Sequence, residues 1–360
     1  MYSIATTQAS ISVVSKIFDS YIHSPSIDPL FIQGDALKIL QQIPDESIDC
    51  CMTSPPYWGK RQYSVDGIGL EANYKDYITI LLRIFSELKR VIKDTGSFWL
   101  NIGDSYKNKR LLGIPWRLAI GMIDEQGWIL RNEVIWNKVK GGQDNAKDKL
   151  GNVHEQLFHF VKIPNGYYYN TDAIRSKPSQ SKIVNGAVVS ATGVSGIRYK
   201  RQIELSTELT SDEKKNAIEA LNRILEEVQL GKLSDFRMII RGKQRTTHSD
   251  SSLVSGRAKE LHDKGFYFLK YNPKGSKPRD VWDIIPVDSQ NREKHYATYP
   301  EDLCKIPILA TCPKNGIVLD IFAGIGTTML VAKRLGRQSI GIELSDEYIS
   351  LAEQRCRSLL

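Results

Sequence analysis

The chain of 360 residues has few cysteines, and their spacing matches no common metal or redox motif. No Cys-x-x-Cys pair occurs, and no histidine lies at the spacing that zinc ligands need. We therefore predict no metal site and no disulfide framework, with reduced thiols in a cytoplasmic protein. The cysteines are Cys50, Cys51, Cys304, Cys312 and Cys356.

Long apolar runs are also absent. No stretch approaches the roughly 20 apolar residues that a membrane-spanning helix needs. The first residues lack the basic start and apolar core of a signal peptide, so we expect no membrane association. The 41% apolar and 25% charged residues are typical of a soluble globular protein. At roughly 150 residues per domain, the length predicts two domains.

A glycine-rich segment near the C-terminus lacks the residues that grip phosphates. It runs from Val318 to Thr328, precedes an apolar helical pattern, and is followed by a second apolar strand that ends at Glu343. This pattern predicts a nucleotide-binding βαβ unit, in which Glu343 accepts hydrogen bonds from a ribose. Met329 replaces the third glycine of the dinucleotide motif, and no Gly-Lys-Ser/Thr follows. An adenosine ligand without a pyrophosphate therefore fits best, and S-adenosylmethionine is the commonest such cofactor.

The most informative segment is Thr53-Ser54-Pro55-Pro56-Tyr57-Trp58, which follows a short apolar run. The two prolines fix the backbone and donate no N–H groups. They hold a small polar side chain and an aromatic face at a set separation. We expect this segment at the carboxyl end of a buried strand, where open α/β sheets bind ligands.

Together these residues resemble the amino-methyltransferases of DNA, which methylate the exocyclic nitrogen of cytosine or adenine. The family has an Asp/Asn/Ser-Pro-Pro-aromatic catalytic motif and an Asp-x-Phe-x-Gly-x-Gly-Thr cofactor motif. Here the catalytic motif comes first, which resembles the permuted beta class. Gly34–Leu37 and the segments 281–284 and 295–303 resemble further family motifs, so the likeness covers most of residues 28–356.

The resemblance implies two groups of site residues. The catalytic group is Ser54, Pro55, Pro56 and Tyr57. The group that binds S-adenosylmethionine is Asp35, Ala36, Thr53, Thr298, Asp320, Phe322, Ala323, Gly324, Gly326, Thr327, Glu343 and Leu344. Because methyl transfer needs no metal, His154 and Glu155 are interpreted as structural residues.

Basic charge is concentrated between the two motifs. Residues 172–280 contain 21 Lys and Arg against 13 Asp and Glu, a difference of +8, which equals the net charge of the whole chain. This excess favours a phosphate-bearing partner. We therefore predict a target-recognition region at residues 172–280. The predicted DNA-binding residues are Trp58, which either stacks on a base or is buried under a loop, and Arg237, Arg241, Lys243, Arg245 and Arg257.

Hydrophobic periodicity predicts an α/β fold, a circularly permuted Rossmann-like methyltransferase sheet with a mainly helical insert. We expect all strands of the sheet to be parallel. Predicted strands lie at 30–33, 47–52, 96–102, 129–136, 156–162, 317–321 and 339–342, and predicted helices at 74–92, 114–126 and 329–335. A capping box at Thr210–Glu213 predicts a further helix that ends at Gly231.

The predicted organisation has four parts. Residues 1–27 form an unassigned extension, either a helix packed on the sheet or a flexible arm. Residues 28–171 form the catalytic part, 172–280 the target-recognition region and 281–360 the cofactor-binding part.

Ser54 bears on the choice of base, because Ser at this position in the family usually accompanies N4-cytosine methylation, and Asp usually accompanies N6-adenine methylation. N4-cytosine is our preferred prediction, and N6-adenine is the alternative. An RNA or protein-glutamine methyltransferase and a catalytically silent DNA-binding protein are further alternatives. The resemblance implies double-stranded DNA as partner, allows a separately acting restriction endonuclease, and leaves monomer or homodimer open.

Overall fold

The computed structural model of the protein describes residues 3–4, 11–60, 67–140, 146–243, 256–286 and 299–357, with side chains described from Val14 onward. The strands are Ser3–Ile4 (β1), Leu30–Gln33 (β2), Ile48–Thr53 (β3), Ile92–Ile102 (β4), Tyr106–Lys107 (β5), Arg110–Leu111 (β6), Ile129–Asn137 (β7), His154–Val161 (β8), Lys182–Val184 (β9), Ala187–Val189 (β10), Asp235–Ile240 (β11), Phe266–Tyr271 (β12), Val281–Asp283 (β13), Ile317–Asp320 (β14) and Gln338–Glu343 (β15).

The helices alternate with these strands through most of the chain. They are Ile11–Ile22 (α1), Ala36–Leu40 (α2), Tyr74–Val91 (α3), Ile114–Asp124 (α4), Gly196–Glu204 (α5), Ser211–Gln229 (α6), Arg257–Lys264 (α7), Glu301–Thr311 (α8), Thr327–Arg334 (α9) and Asp346–Arg357 (α10), with a 3₁₀ turn at Thr171–Ile174. Among the described residues, none of these helices combines the length and the apolar character that crossing a bilayer requires.

The described chain forms two compact units. The first contains Met1–Ala173 and Arg279–Leu360, and the second is the intervening segment Ile174–Pro278. The first unit is therefore assembled from both ends of the sequence.

In the first unit, nine described strands pair in the order β1-β2-β15-β14-β3-β4-β8-β7-β13. Strand β14 from the C-terminal part pairs in parallel with β3 from the N-terminal part, and Val318 lies opposite Cys50. This pairing brings the strand before the glycine-rich segment beside the strand before the two prolines. The mixed α/β fold and the permuted strand order agree with the predicted fold class.

The prediction that every strand of the sheet is parallel is wrong. Strand β8 runs antiparallel to both of its neighbours, β4 and β7. Residues 138–153, which join β7 to β8, include no helix among those described, whereas a parallel pair needs a long crossover connection. The antiparallel direction has a consequence for the site, because β8 begins at the edge of the sheet where β3, β4 and β7 end.

The central strands β3 and β14 are buried on both faces, as a Rossmann-like arrangement requires. Alternate residues of β3 contribute to opposite layers. Cys51 packs in the cluster that contains residues of α3 and α4, whereas Cys50 and Met52 pack in the cluster that contains residues of α8. The predicted apolar face of α3 is confirmed at five of its six positions, because Ile80 is half-buried and the others are buried: Tyr77, Leu81, Ile84, Leu88 and Val91.

The N-terminal extension contributes a helix to the first unit. Val14, Phe18 and Tyr21 of α1 are buried, and the Tyr21 hydroxyl accepts a hydrogen bond of 3.0 Å from the backbone N–H of Ser339 in β15. Of the two alternatives for residues 1–27, the described part therefore shows the packed helix.

The second unit has its own core. Three described helices, α5, α6 and α7, accompany two antiparallel hairpins, β9–β10 and β11–β12. The predicted capping box is present, because Thr210 and Glu213 bond reciprocally at the start of α6. Buried side chains of this unit include Tyr199, Leu221, Ile224, Phe236, Met238 and Phe266.

Candidate functional site

The two motifs meet at the carboxyl ends of β3 and β14. Thr53, the last residue of β3, donates a hydrogen bond of 2.5 Å from its hydroxyl to Oδ1 of Asp320, the last residue of β14. Both side chains are buried, so the bond is shielded from water. Residues that lie 267 positions apart in sequence therefore form one site.

The Asp320 carboxylate is saturated by protein donors. Besides Thr53, it accepts bonds from the Phe322 N–H at 3.1 Å, the Thr328 hydroxyl at 2.7 Å and the Tyr299 hydroxyl at 2.9 Å. Burial raises the pKa of Asp320, and these hydrogen bonds to its charged form oppose the rise. Asp320 is only 1% exposed, and its carboxylate links the two motifs inside the protein. This burial favours a positioning role for Asp320 over a direct contact with a cofactor.

The glycine-rich segment turns tightly above Asp320. Gly324 and Gly326 have φ angles of 51° and 73°, in the left-handed region that favours glycine. A Cβ on Gly326 would also lie 2.9 Å from the Cβ of Ala352. Position 326 therefore needs glycine to lie this close to Ala352. Helix α9 begins at Thr327, directly after it.

Glu343 at the end of β15 holds this turn in place. Its Oε2 accepts a 2.8 Å bond from the Gly324 N–H, and its Oε1 accepts a 2.9 Å bond from the Ser345 N–H. Burial raises the pKa of Glu343, and the bonds from Ser345 and Gly324 oppose the rise. A carboxylate has about four lone-pair sites, and the backbone N–H groups of Gly324, Ser345 and Leu344 use three of them, so the group can still accept from a ribose hydroxyl.

Asp35, from the N-terminal part of the predicted cofactor group, lies at the end of β2, next to the end of β15. Asp35 follows β2, which pairs with β15, and its Oδ1 accepts a 3.0 Å bond from the Lys38 N–H as the N-cap of α2. The Gly34 N–H donates to the Glu343 carbonyl at 2.9 Å. The ends of β2, β15, β14 and β3 thus place Asp35, Glu343, Asp320 and Thr53 on one edge. Ala36, Phe322, Ala323 and Leu344 lie within three residues of these strand ends, whereas Thr298 lies outside the described residues.

These residues fit an adenosine-type cofactor. The edge offers a carboxylate with spare acceptor capacity, Glu343, and a glycine turn that leaves room for a close ligand. The sequence places no lysine in that turn to bind a pyrophosphate. Around this edge, and elsewhere in the described chain, no group of three or more His, Cys, Asp or Glu side chains could hold a metal ion.

The proline segment leaves β3 in a fixed loop. The Pro56 carbonyl accepts a 2.9 Å bond from the hydroxyl of Tyr77 on α3. Ser54 is partly exposed, and its hydroxyl donates a 3.3 Å bond to the hydroxyl oxygen of Tyr57. The lone pairs of Ser54 Oγ therefore stay available to accept from a substrate.

Ser54, Tyr57 and Glu155 form a chain of hydrogen bonds that ends at the start of β8. The Tyr57 hydroxyl donates to Glu155 Oε2 at 2.7 Å, a distance shorter than the 3.3 Å to Oδ1 of Asn101. Asn101 Nδ2 donates to the same Glu155 oxygen at 3.3 Å, and Lys138 Nζ donates to the other. Burial, reinforced by the Glu155 charge, raises the pKa of Tyr57 well above its usual range, so Tyr57 remains a donor.

The ring of Tyr57 also requires a glycine beside it. A Cβ on Gly103, which follows β4, would lie 2.7 Å from Cε2 of Tyr57. Any larger residue would displace the ring.

Trp58 occupies an interior position. Its side chain is 8% exposed, and its indole N–H donates a 2.8 Å bond to the carbonyl of Glu71. The ring packs edge-on against Tyr74. This position favours the structural alternative for Trp58 over contact with a base.

The predicted DNA-binding residues of the second unit differ in their surroundings. Arg241 donates to both oxygens of Glu213, at 2.9 and 2.8 Å, and to the carbonyls of Glu208 and His262. This network favours a structural role for Arg241. The exposed residues are Arg237, Lys243 and Arg257, and Arg245 lies outside the described residues.

Two site residues were missed at the sequence level. Glu155 was interpreted as structural, yet it contacts Tyr57 of the predicted catalytic motif directly. Asn101 was not considered, although it is a buried polar residue near the end of an apolar strand, which is a recognisable signal. For Glu155 the missing information was the direction of β8, which alone brings its first residues to the edge where β3 ends.

Comparisons with known proteins agree with this geometry. A family model described as DNA methylase matches residues 48–354. The Type II methyltransferase M.SfiI of Streptomyces fimbriatus is 28% identical over 88% of both chains. The Type II methyltransferase M.Cfr9I of Citrobacter freundii is 29% identical over 90% of this chain and 86% of its own.

A solved structure has a similar fold. The PvuII DNA methyltransferase (cytosine-N4-specific) aligns with a TM-score of 0.53 and 18% identity, over 90% of this chain and 85% of its own.

Proposed function

This chain belongs to the DNA methylase family, whose members use S-adenosylmethionine, and from that membership we propose that it methylates the exocyclic N4 of cytosine in a short motif of duplex DNA. The family membership gives DNA methyl transfer. The observation that carries the choice of cytosine is Ser54, in place of the aspartate that usually accompanies adenine.

The chemical problem is the weak nucleophile. The lone pair of an amine attached to a nucleobase ring is delocalised into the ring. We propose that Ser54 Oγ and the Pro55 carbonyl each accept a hydrogen bond from one N–H of the amine. These bonds favour a pyramidal nitrogen with its lone pair directed outward, so orientation supplies much of the rate.

The hydrogen-bond chain from Ser54 through Tyr57 to Glu155 supports this role. Ser54 donates to Tyr57, and Tyr57 donates to a carboxylate, so every donor in the chain points away from the substrate side of Ser54. Chains of this kind polarise one another in a low-dielectric site. Glu155 thereby increases the acceptor strength of Ser54 Oγ without placing a charge on it.

Cofactor binding is proposed for the neighbouring strand ends. Glu343 would hold the ribose, Asp35 the adenine, and the turn at Gly324 and Gly326 the part of the ligand nearest β14. When bound, S-adenosylmethionine supplies the methyl group as an electrophilic sulfonium. The bond from Thr53 to Asp320 fixes the distance between this pocket and Ser54.

Access to the amine requires the base to leave the duplex, and we propose that it stacks on Tyr57. Two contacts fix the Tyr57 ring before substrate arrives. The Tyr57 hydroxyl is bound to Glu155, and the ring lies close against Gly103. A preset ring orientation reduces the entropy that is lost on binding.

Target recognition is proposed for residues 172–280. The segment Ile174–Pro278 forms a compact unit with its own core, so it can vary without disturbing the catalytic sheet. Exposed Arg237, Lys243 and Arg257 are the described candidates for contacts with DNA. Because the relatives are Type II methyltransferases, we also propose a place in a restriction–modification system, with a separate endonuclease.

The experiment is whole-genome modification sequencing of a methylation-free host that expresses the chain, with Ser54→Ala as control. We expect N4-methylcytosine at one short motif, absent in the control. N6-methyladenine would keep the mechanism and overturn the inference from Ser54. A genome without any modified base would instead support action on RNA or protein, or a silent binding role.

A further inference from the structure

A small basic hairpin follows β4 in the catalytic unit. Its strands, β5 and β6, are joined by a two-residue turn, Asn108-Lys109, with Lys107 opposite Arg110. Both turn residues lie in the left-handed region, with φ of 51° and 63°. Such turns favour glycine, so Lys109 occupies a strained position and places a cationic side chain at the tip.

The base of this hairpin is fixed by Asp104. Its carboxylate accepts backbone bonds from Ser105 at 2.8 Å, Gly113 at 2.9 Å and Ile114 at 3.1 Å. The Leu112 N–H closes the loop by donating to the Ser105 carbonyl at 3.0 Å. The hairpin therefore leaves the sheet in one defined direction.

The hairpin is also attached to the catalytic loop. The hydroxyl of Ser105 donates a 2.7 Å bond to the carbonyl of Trp58. The ammonium of Lys107 lies 5.2 Å from the centre of the Trp58 ring. Trp58 directly follows Tyr57, so these contacts hold basic residues next to the catalytic motif.

The charge of the hairpin is of one sign. Lys107, Lys109 and Arg110 are all exposed, and the sequence from Ser105 to Met122 contains no Asp or Glu. Lys109 also forms an exposed ion pair with Asp148 at 2.7 Å. Lys149 in the same loop lies 5.0 Å from the ring of Tyr106 and adds a further cation.

We propose that this hairpin, residues 106–111, binds the phosphate backbone of the substrate duplex beside the flipped nucleotide. The proposal rests on the proposed function as a DNA methyltransferase. Exposed Lys and Arg side chains are the usual partners of DNA phosphates, and such contacts set register without reading sequence. The catalytic unit thus has a DNA contact of its own, separate from residues 172–280.

The test is the triple variant Lys107→Ala/Lys109→Ala/Arg110→Ala, measured by fluorescence anisotropy with a short labelled duplex over a range of salt. Each lost phosphate contact reduces the slope of log K against log salt by about 0.9, so we expect a reduction of about 2–3. The methylation rate at low DNA concentration should fall accordingly. Binding of S-adenosylmethionine, measured by calorimetry, should not change.

A matched control removes the same charge elsewhere. Lys16→Ala/Arg83→Ala/Lys314→Ala replaces three exposed basic residues of the same unit, outside the site and the hairpin. We expect its salt slope to equal that of the wild type. Equal losses in the two triple variants would reduce the effect to net charge and overturn the proposal.

A single variant guards against misfolding. Lys109→Gly removes one cation and relieves the positive φ, so the turn should form at least as readily. We expect thermal stability at or above the wild type, together with a slope reduced by about 1. A wild-type slope in both Lys109→Gly and the triple variant would reject the hairpin as a phosphate contact. If the wild-type chain neither bound nor methylated DNA, the proposed function would fail instead.

Discussion

The hydroxyl of Tyr57 donates a 2.7 Å hydrogen bond to the carboxylate of Glu155, although the two residues lie 98 positions apart. Tyr57 comes from the loop after β3, and Glu155 lies near the start of β8, two strands away in the sheet. A carboxylate thus holds Tyr57, a residue of the proposed catalytic motif that we also propose as the stacking surface for the base.

Removing this support should reduce catalysis more than binding. In Glu155→Ala, the Tyr57 hydroxyl loses its charged acceptor, a bond of about 1.5–3 kcal/mol, so we expect single-turnover methylation to slow by about 10–100-fold. Tyr57→Phe should cause a similar loss. Because both changes break the same bond, the double variant should be little slower than either single variant.

Glu155→Gln separates charge from orientation. The amide keeps an acceptor for Tyr57 but carries no charge, so we expect a rate between those of the wild type and Glu155→Ala. A Gln variant as fast as the wild type would leave Glu155 only an orienting role. Full additivity of Glu155→Ala and Tyr57→Phe would contradict the coupling itself.

Ser54→Ala should lower turnover without weakening the cofactor site. The hydroxyl lies outside the Glu343 network, and its loss removes one acceptor for the amine, so we expect a rate reduction on the order of 100-fold. The affinity for S-adenosylmethionine, measured by calorimetry, should stay within about twofold of the wild type. Parallel losses in rate and cofactor affinity would exclude the proposed role of Ser54.

Glu343→Ala should weaken cofactor binding first. The carboxylate holds the Gly324 N–H and is the proposed ribose acceptor, so its removal leaves a partly buried donor unpaired at a cost of about 1–3 kcal/mol. We expect the dissociation constant of S-adenosylmethionine to rise by about 10–100-fold. Glu347→Ala, an exposed acid in the first turn of α10, is the control. Unchanged affinity in Glu343→Ala would remove Glu343 from the ribose site.

His159 on β8 should make stability depend on pH. It stacks on Trp99 with ring centres 4.2 Å apart, and Nε2 lies 3.1 Å from the hydroxyl of Ser97. Burial, reinforced by the charge of Arg131, lowers the pKa of His159 to about 3. In the unfolded chain, His159 binds a proton below about pH 6.5, whereas in the folded chain His159 stays neutral there. This contribution to stability is therefore complete above about pH 6.5 and is lost as the pH falls toward 3.

Urea unfolding at pH 7.5 and 5.5 measures this effect. Below about pH 6.5 the wild type should lose about 1.4 kcal/mol per pH unit from His159 alone. His159→Gln should be less stable at pH 7.5 but should lose less between the two pH values. Identical pH dependence in the two proteins would show that His159 does not titrate on unfolding.

The secondary structure followed closely from the sequence. Every predicted strand and helix is present, with ends shifted by a few residues. The central strands β3 and β14 are apolar and buried on both faces, and α3 and α6 carry strong caps and apolar stripes. These signals are local, so they survive without knowledge of the neighbours.

Strand direction was less accessible. The sequence from 138 to 153 has no helical pattern, which already disfavoured a parallel crossover between β7 and β8, but pairing of β8 with β4 could not be inferred from either strand alone. Likewise, nothing local distinguishes Arg241, bound to Glu213, from exposed Arg237. Partners of long side chains depend on which surfaces pack together.

The sequence by itself determined the elements, the motifs Ser54–Tyr57 and Asp320–Gly326, and through them the family, because these depend on residue type and short spacing. Only the tertiary structure decided which distant side chains share the site. It brought Glu155 to Tyr57, buried Asp320 beneath Thr53 and withdrew Trp58 from the surface. The physical reason is that hydrogen-bond partners and burial are properties of packed strand ends, and strand order and direction arise from long-range contacts that no short segment encodes.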